Sequence, residues 1–208
     1  MNQQWPQRGA FTCPGPASRL LNHDRLVPSE PSLLMKNDIV VVLQEDHRLL
    51  ENMRRGLRTP ASAEAENLLA EQFSTALGGH LVAMRRVVYP ALKAMEWKNV
   101  TSSLLVQHAT LGRMLAELLT LPQGSVLFSE HLRGLVDATP SSISLERGQL
   151  LPLLADRLDS AQRMDMGVDA LGYLPHLSDA APLDSRFPAS QWIEEARLVL
   201  GSLGYSTV

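Results

Sequence analysis

From Lys36 onward, apolar residues recur at spacings of three and four. In DIVVVLQEDHRLLENMRRGL, one stripe is formed by Ile39, Leu43, Asp46/His47, Leu50, Met53 and Leu57. That is the face of an amphipathic helix. Thr59-Pro60 ends it, and Pro60 with Ser62 opens the next. A second helix is predicted over about 62–95, with a stripe of Leu69, Phe73, Leu77, His80, Met84, Val87 and Ala91. Gly78-Gly79 weakens it by roughly 1 kcal/mol per glycine. Pro90 bends it near its end. A third is predicted over about 100–120, with Leu104/Leu105, His108, Leu111, Leu115 and Leu118 on one face. Leu121-Pro122 and the following Gln-Gly form a turn. A fourth runs over about 126–158 through Phe128, Leu132, Leu135, Thr139, Ser142, Leu145/Glu146, Gln149 and Leu153. Pro140 is expected to kink or split it, with Thr139 as an N-cap of the restarted segment.

Strand alternation is confined to the brief IVVVL, which the longer helical period outvotes. Four long helices joined by short connections predict an all-α fold, an antiparallel up-down four-helix bundle over 35–158. Residues 1–34 carry five prolines at irregular spacing and read as a flexible tail, with Met35 a possible start. Residues 159–208 read as an extension, mixed up to 188 and ending in a short helix over 190–203, capped by Ser190.

Composition narrows the function classes. The chain has 208 residues, of which 45% are apolar, and a net charge of -3. Neither nucleic acid nor an anionic membrane has a global electrostatic claim on it. The pairs Arg54-Arg55 and Arg85-Arg86 read as solvated helix faces. No apolar run approaches the ~20 residues of a membrane span. Cys13 is the single cysteine, so no internal disulfide exists, in keeping with a reducing cytoplasm. The expectation is a soluble, cytoplasmic protein.

The polar exceptions on the stripes carry the chemistry. His47, His80 and His108 each replace an apolar residue on the inner face of a different helix. Burying an unpaired polar group costs ~1–3 kcal/mol, so three such placements favour a shared purpose. A metal ion at their meeting point would satisfy all three. Glu146 on the fourth helix offers a carboxylate. Three imidazoles and one carboxylate suit iron or zinc. Asp46 and Gln107, next to His47 and His108, are placed to orient an imidazole, although neighbours on a helix point about 100° apart. His23, His131 and His176 read as structural or solvent-exposed.

These segments resemble the hemerythrin-like, or HHE cation-binding, family. LQEDHRLLENM looks like its first-helix motif. HLVAMRRVVYPAL resembles the second-helix motif, a His followed four residues on by Glu and about ten on by Tyr-Pro. LVQHATLGRMLAELL is similar to the third-helix segment, and SISLERGQLLPLL to the fourth-helix motif. The resemblance covers about 36–158. It implies a four-helix bundle and, for members with the full ligand set, a non-haem di-iron centre. It carries the ligand role onto His47, His80, His108 and Glu146. Two positions depart: Met84 stands at the first bridging Glu, and Ser142 at the fourth His. One iron then keeps His47, His80 and Glu146, a composition able to hold a single ferrous ion with open positions. The other keeps mainly His108.

Three functions follow. The first is a non-enzymatic module holding one iron and sensing or binding O2, NO or peroxide. The second is a metal-free degenerate bundle acting as a regulatory or protein-interaction domain. The third, ranked last, is an oxygen-activating enzyme, for which no substrate pocket, nucleotide loop or catalytic triad is recognisable.

Overall fold

The computed structural model describes residues 36–174 and 177. The predicted tail, Met35, the helix at 190–203, Cys13, His23 and His176 lie outside them. Among the described residues the chain is all-helical. The elements are α1 (Ile39–Arg58), α2 (Ala63–Ala83), α3 (Tyr89–Ala94), α4 (Lys98–Leu118), α5 (Val126–Leu145), α6 (Leu151–Arg157) and α7 (Ser160–Leu171). One π-turn, π1 (Met84–Val88), joins α2 to α3, and another, π2 (Glu146–Leu150), joins α5 to α6. The first rod is α1, the second α2–π1–α3, the third α4 and the fourth α5–π2–α6. Each rod packs against two others, α1 on α2 and α5, and α4 on α2 and α5, which closes a ring.

The starts of the helices follow local chemistry. Asp38 caps α1 by accepting from the Val40 amide, Ser62 caps α2 through Ala65, and Ser125 caps α5 through Phe128. The turn before α5 uses Gly124 at φ 77, a conformation that favours glycine.

Pro140 neither splits nor restarts the fourth rod. Helix α5 runs through it, and Thr139 is a buried interior residue whose hydroxyl donates to the Leu135 carbonyl at 2.8 Å. The interruption falls instead at the π-turns, each followed by a proline at the start of the next helix, Pro90 and Pro152. A π-turn closes an i→i+5 bond, here from the Tyr89 amide to the Met84 carbonyl and from the Leu151 amide to the Glu146 carbonyl. It takes in one extra residue, and the buried stripe slides by one. Val88 and Leu92 are fully buried where the 3.6-residue period pointed to Val87 and Ala91. Likewise Leu150 is buried where it pointed to Gln149, which is exposed.

The segment after 158 is not the mixed stretch its composition suggested. Asp159 and Gln162 form a capping box, and α7 follows. It packs on α1 at a contact that only glycine permits: a Cβ on Gly167 would lie 1.6 Å from the Asn37 carbonyl oxygen. Arg163 ties the two ends together. Its Nε donates to Asp38 at 2.7 Å, and another guanidinium nitrogen donates to the Leu158 carbonyl.

The core is divided along the rods. One apolar cluster gathers Ile39, Leu43, Met84, Val88, Leu92, Leu104, Leu150 and Leu154. The other gathers Leu50, Phe73, Leu77, Leu111, Leu115, Leu132 and Leu135. Along the rods, between residues of the two clusters, lie Asp46, His47, His80, His108, Ser142 and Glu146, all buried.

Candidate metal centre

The three imidazoles predicted to converge do so. Ring centroids of His47 and His80 lie 5.6 Å apart, and those of His80 and His108 5.4 Å apart. The residue at their meeting point is Glu146, with no exposed surface. His47 Nε2 donates to Glu146 Oε2 at 2.9 Å. His108 Nε2 donates to Oε1 at 2.9 Å, and His80 Nε2 lies 3.3 Å from the same oxygen. Ser142, one helical turn before Glu146, adds its hydroxyl to Oε1 at 3.1 Å. Four rods therefore meet on one carboxylate.

Two further residues complete the layer. Asp46 pairs across the bundle with His80, its Oδ2 accepting from Nδ1 at 2.6 Å. Asp46 thus orients an imidazole on another rod, and its carboxylate also lies within 4.8 Å of a ring nitrogen of its neighbour His47. Tyr89 places its hydroxyl 2.6 Å from His108 Nδ1. With His108 Nε2–H donating to Glu146, the tyrosine O–H donates to Nδ1. His47 Nδ1 is buried and has no hydrogen-bond partner among the described residues. The sequence singled out the Tyr-Pro pair only as a family marker, and Ser142 only as a missing ligand. His131 lies outside the cluster, on the Leu127 carbonyl.

The electrostatics follow from this geometry. Burial opposes charge on His80, but the carboxylates of Glu146 and Asp46 outweigh it and push its pKa up to about 10. Burial likewise opposes ionisation of Glu146. The His80 charge and hydrogen bonds from His108 and His47 overcome this and hold it well below the usual carboxylate range. Burial keeps His108 below its ordinary value, partly offset by Glu146. Tyr89 is pushed up, by burial first and by the Glu146 charge second.

Two sets of ligand atoms, each lying within 4.8 Å of one another, could hold a metal ion: Asp46, His47 and His80, and His80, His108 and Glu146. The donor set fits one borderline divalent ion. It does not fit a second one bridged by carboxylates, because the fully buried Met84 holds the position one helical turn after His80. No helix among the described residues is long and apolar enough to cross a membrane.

One comparison with known proteins finds a match, to a cation-binding domain family. No curated protein and no solved structure matches the chain. The family model described as the hemerythrin HHE cation-binding domain matches residues 38–154, more than half of the chain. That span begins at the N-cap of α1, takes in the first three rods and the fourth as far as Leu154, and contains every residue of the buried polar layer. The chain belongs to the hemerythrin HHE cation-binding domain family.

Proposed function

We propose that the protein is a binding module that holds a single non-haem metal ion, iron by family resemblance, between the rods of an up-down antiparallel bundle. The observation that carries this reading is the convergence of three buried imidazoles on one buried carboxylate. Connections of a few residues between rods support antiparallel neighbours. His47, His80, His108 and Glu146 are the residues considered as ligands. When bound, the iron would supply a centre able to take O2, NO or peroxide. The chain's own residues hold the ion, fix the imidazole orientations through Asp46 and Tyr89, and exclude water with an apolar cluster on each side. A binding role is preferred to an enzymatic one because the residues of the layer engage one another rather than a substrate cleft. A single cysteine is compatible with a cytoplasmic setting.

The test is metal content after anaerobic expression with iron supplied. Close to one iron per chain is expected, and none in His80→Ala. Protein that carries no metal and takes up none would overturn the reading.

One observation favours a second reading, a metal-free regulatory domain. Glu146 already receives three imidazoles and a hydroxyl, and His80 sits between two carboxylates, so the layer is nearly satisfied by itself. On this reading a chelator leaves thermal stability unchanged. On the first reading it lowers it.

A further inference from the structure

The family resemblance makes all three histidines ligands, but the structure treats them unequally. His80 and His108 have their Nε2 atoms on Glu146 Oε1. Each also has a partner at Nδ1, Asp46 for His80 and Tyr89 for His108. An imidazole that binds a metal through Nε2 must carry its proton on Nδ1, and that proton needs an acceptor when buried. Asp46 Oδ2 and the Tyr89 oxygen are in place to accept one.

His47 differs on both counts. It contacts the other carboxylate oxygen, Oε2, and its Nδ1 is buried without a partner among the described residues. Ligation through Nε2 would move the proton to Nδ1 and leave a buried N–H with no acceptor, a costly state. With the proton kept on Nε2, the ring donates to Oε2, and Nδ1 carries only a lone pair. The second arrangement keeps every N–H paired.

We propose that His47 is not a metal ligand but the hydrogen-bond donor that holds Glu146. The protein ligands are then His80 Nε2, His108 Nε2 and Glu146 Oε1. His47 occupies Oε2 and keeps Glu146 from closing on the ion with both oxygens. Three protein ligands leave positions for a small exogenous molecule of the diatomic or peroxide class. This rests on the metal-binding reading above and changes which residues carry it.

Co(II) serves as the probe. Bound imidazoles then show exchangeable, hyperfine-shifted N–H proton resonances, one per ligated ring. Two are expected in the unaltered protein, from His80 and His108, and both should persist in His47→Gln, whose amide can still donate to Oε2. By visible absorption titration, His47→Gln should bind Co(II) within a few-fold of the unaltered protein. His47→Ala should bind it about 10–100-fold more weakly, as for loss of a partner that orients a ligand. His80→Ala should not bind it. Three shifted resonances in the unaltered protein overturn the proposal and leave the metal reading standing; this count needs no variant to fold. A His47→Gln protein that folds and fails to bind overturns it in the same way. If the unaltered protein takes up no Co(II), both readings fall together.

Discussion

The second and fourth rods share one plan and carry opposite chemistry. Each runs from an α-helix into a π-turn and then to a proline at the start of a short helix. At matching places the second rod has His80, Met84 and Tyr89, and the fourth has Ser142, Glu146 and Leu151. The second keeps the imidazole and replaces the carboxylate with a thioether. The fourth keeps the carboxylate and replaces the imidazole with a hydroxyl. Neither rod holds a complete set, and the two together make one. Their link is the contact between His80 and Glu146, a cation from one half against an anion from the other.

pH should break that link most completely, because both partners titrate. His80 is raised from its ordinary 6.5 to about 10. Its stabilising contribution is therefore complete below about 6.5 and is lost as pH rises towards 10. Glu146 is held well below the usual range, and its contribution is complete above the ordinary carboxylate pKa and lost as pH falls through its folded value. His108, held low by burial, adds to the loss on the acid side. Metal-free protein should thus be most stable near pH 6.5, where the acid-side loss from His108 gives way to the basic-side loss from His80. Thermal unfolding from pH 4 to 10 checks this. A flat profile between 6.5 and 10 would show that His80 is not held charged. Metal binding must displace the His80 Nε2 proton, so loading at pH 8 should release protons and remove the basic limb.

Removing the anion outright comes next. Glu146→Leu strands the His80 cation with Asp46 alone and leaves His47 and His108 without their acceptor. A loss of about 3–5 kcal/mol is expected in metal-free protein, the range for breaking a buried pair from one side. The matching change in the other rod, Met84→Leu, keeps the volume and should cost less than about 1.5 kcal/mol. Denaturant unfolding of the two variants reads the asymmetry directly, and equal losses would abolish it.

Restoring symmetry is the converse experiment. Met84→Glu with Ser142→His gives each rod both groups. Without metal, the added carboxylate should cost about 1–3 kcal/mol even when protonated. With iron supplied, stability should recover, and metal content should rise from near one per chain towards two. Content that stays at one would mean that the difference between the rods is not set by these two residues.

Much of this layer was legible because a straight helix repeats every ~3.6 residues, and His47, His80, His108 and Glu146 fall on that repeat. What the period cannot carry is a change of period. Tyr89 lies nine residues after His80, about 900° round a regular helix and so half a turn off the buried face. The π-turn takes up one residue between them and brings Tyr89 back by about 100°, within reach of His108. The same slip moved the buried stripe from Gln149 to Leu150. Asp46 was seen as a neighbour of His47, but its partner is on another rod, and sequence does not encode that pairing. Helix α7 was hidden by its short length and by Gly167, which reads as a breaker but serves a close approach to Asn37.

The smallest predicted effect tests what the π-turn achieves. Tyr89→Phe removes only the hydroxyl 2.6 Å from His108 Nδ1. The fourth rod has Leu151 at the corresponding place, and the matching imidazole, His47, has no Nδ1 partner among the described residues. The variant therefore makes the second rod like the fourth. A loss of about 1 kcal/mol is expected, the net worth of one hydrogen bond. The change should act on His108 alone, because the ring still fills its place. In nitrogen-15 spectra of metal-free protein, His108 Nδ1 should shift towards the frequency of an acceptor-free lone pair. The resonances of His47 and His80 should hold still. Movement of all three together would mean that the hydroxyl supports the layer as a whole, and the contrast between the two rods would then lie in packing rather than in hydrogen bonding.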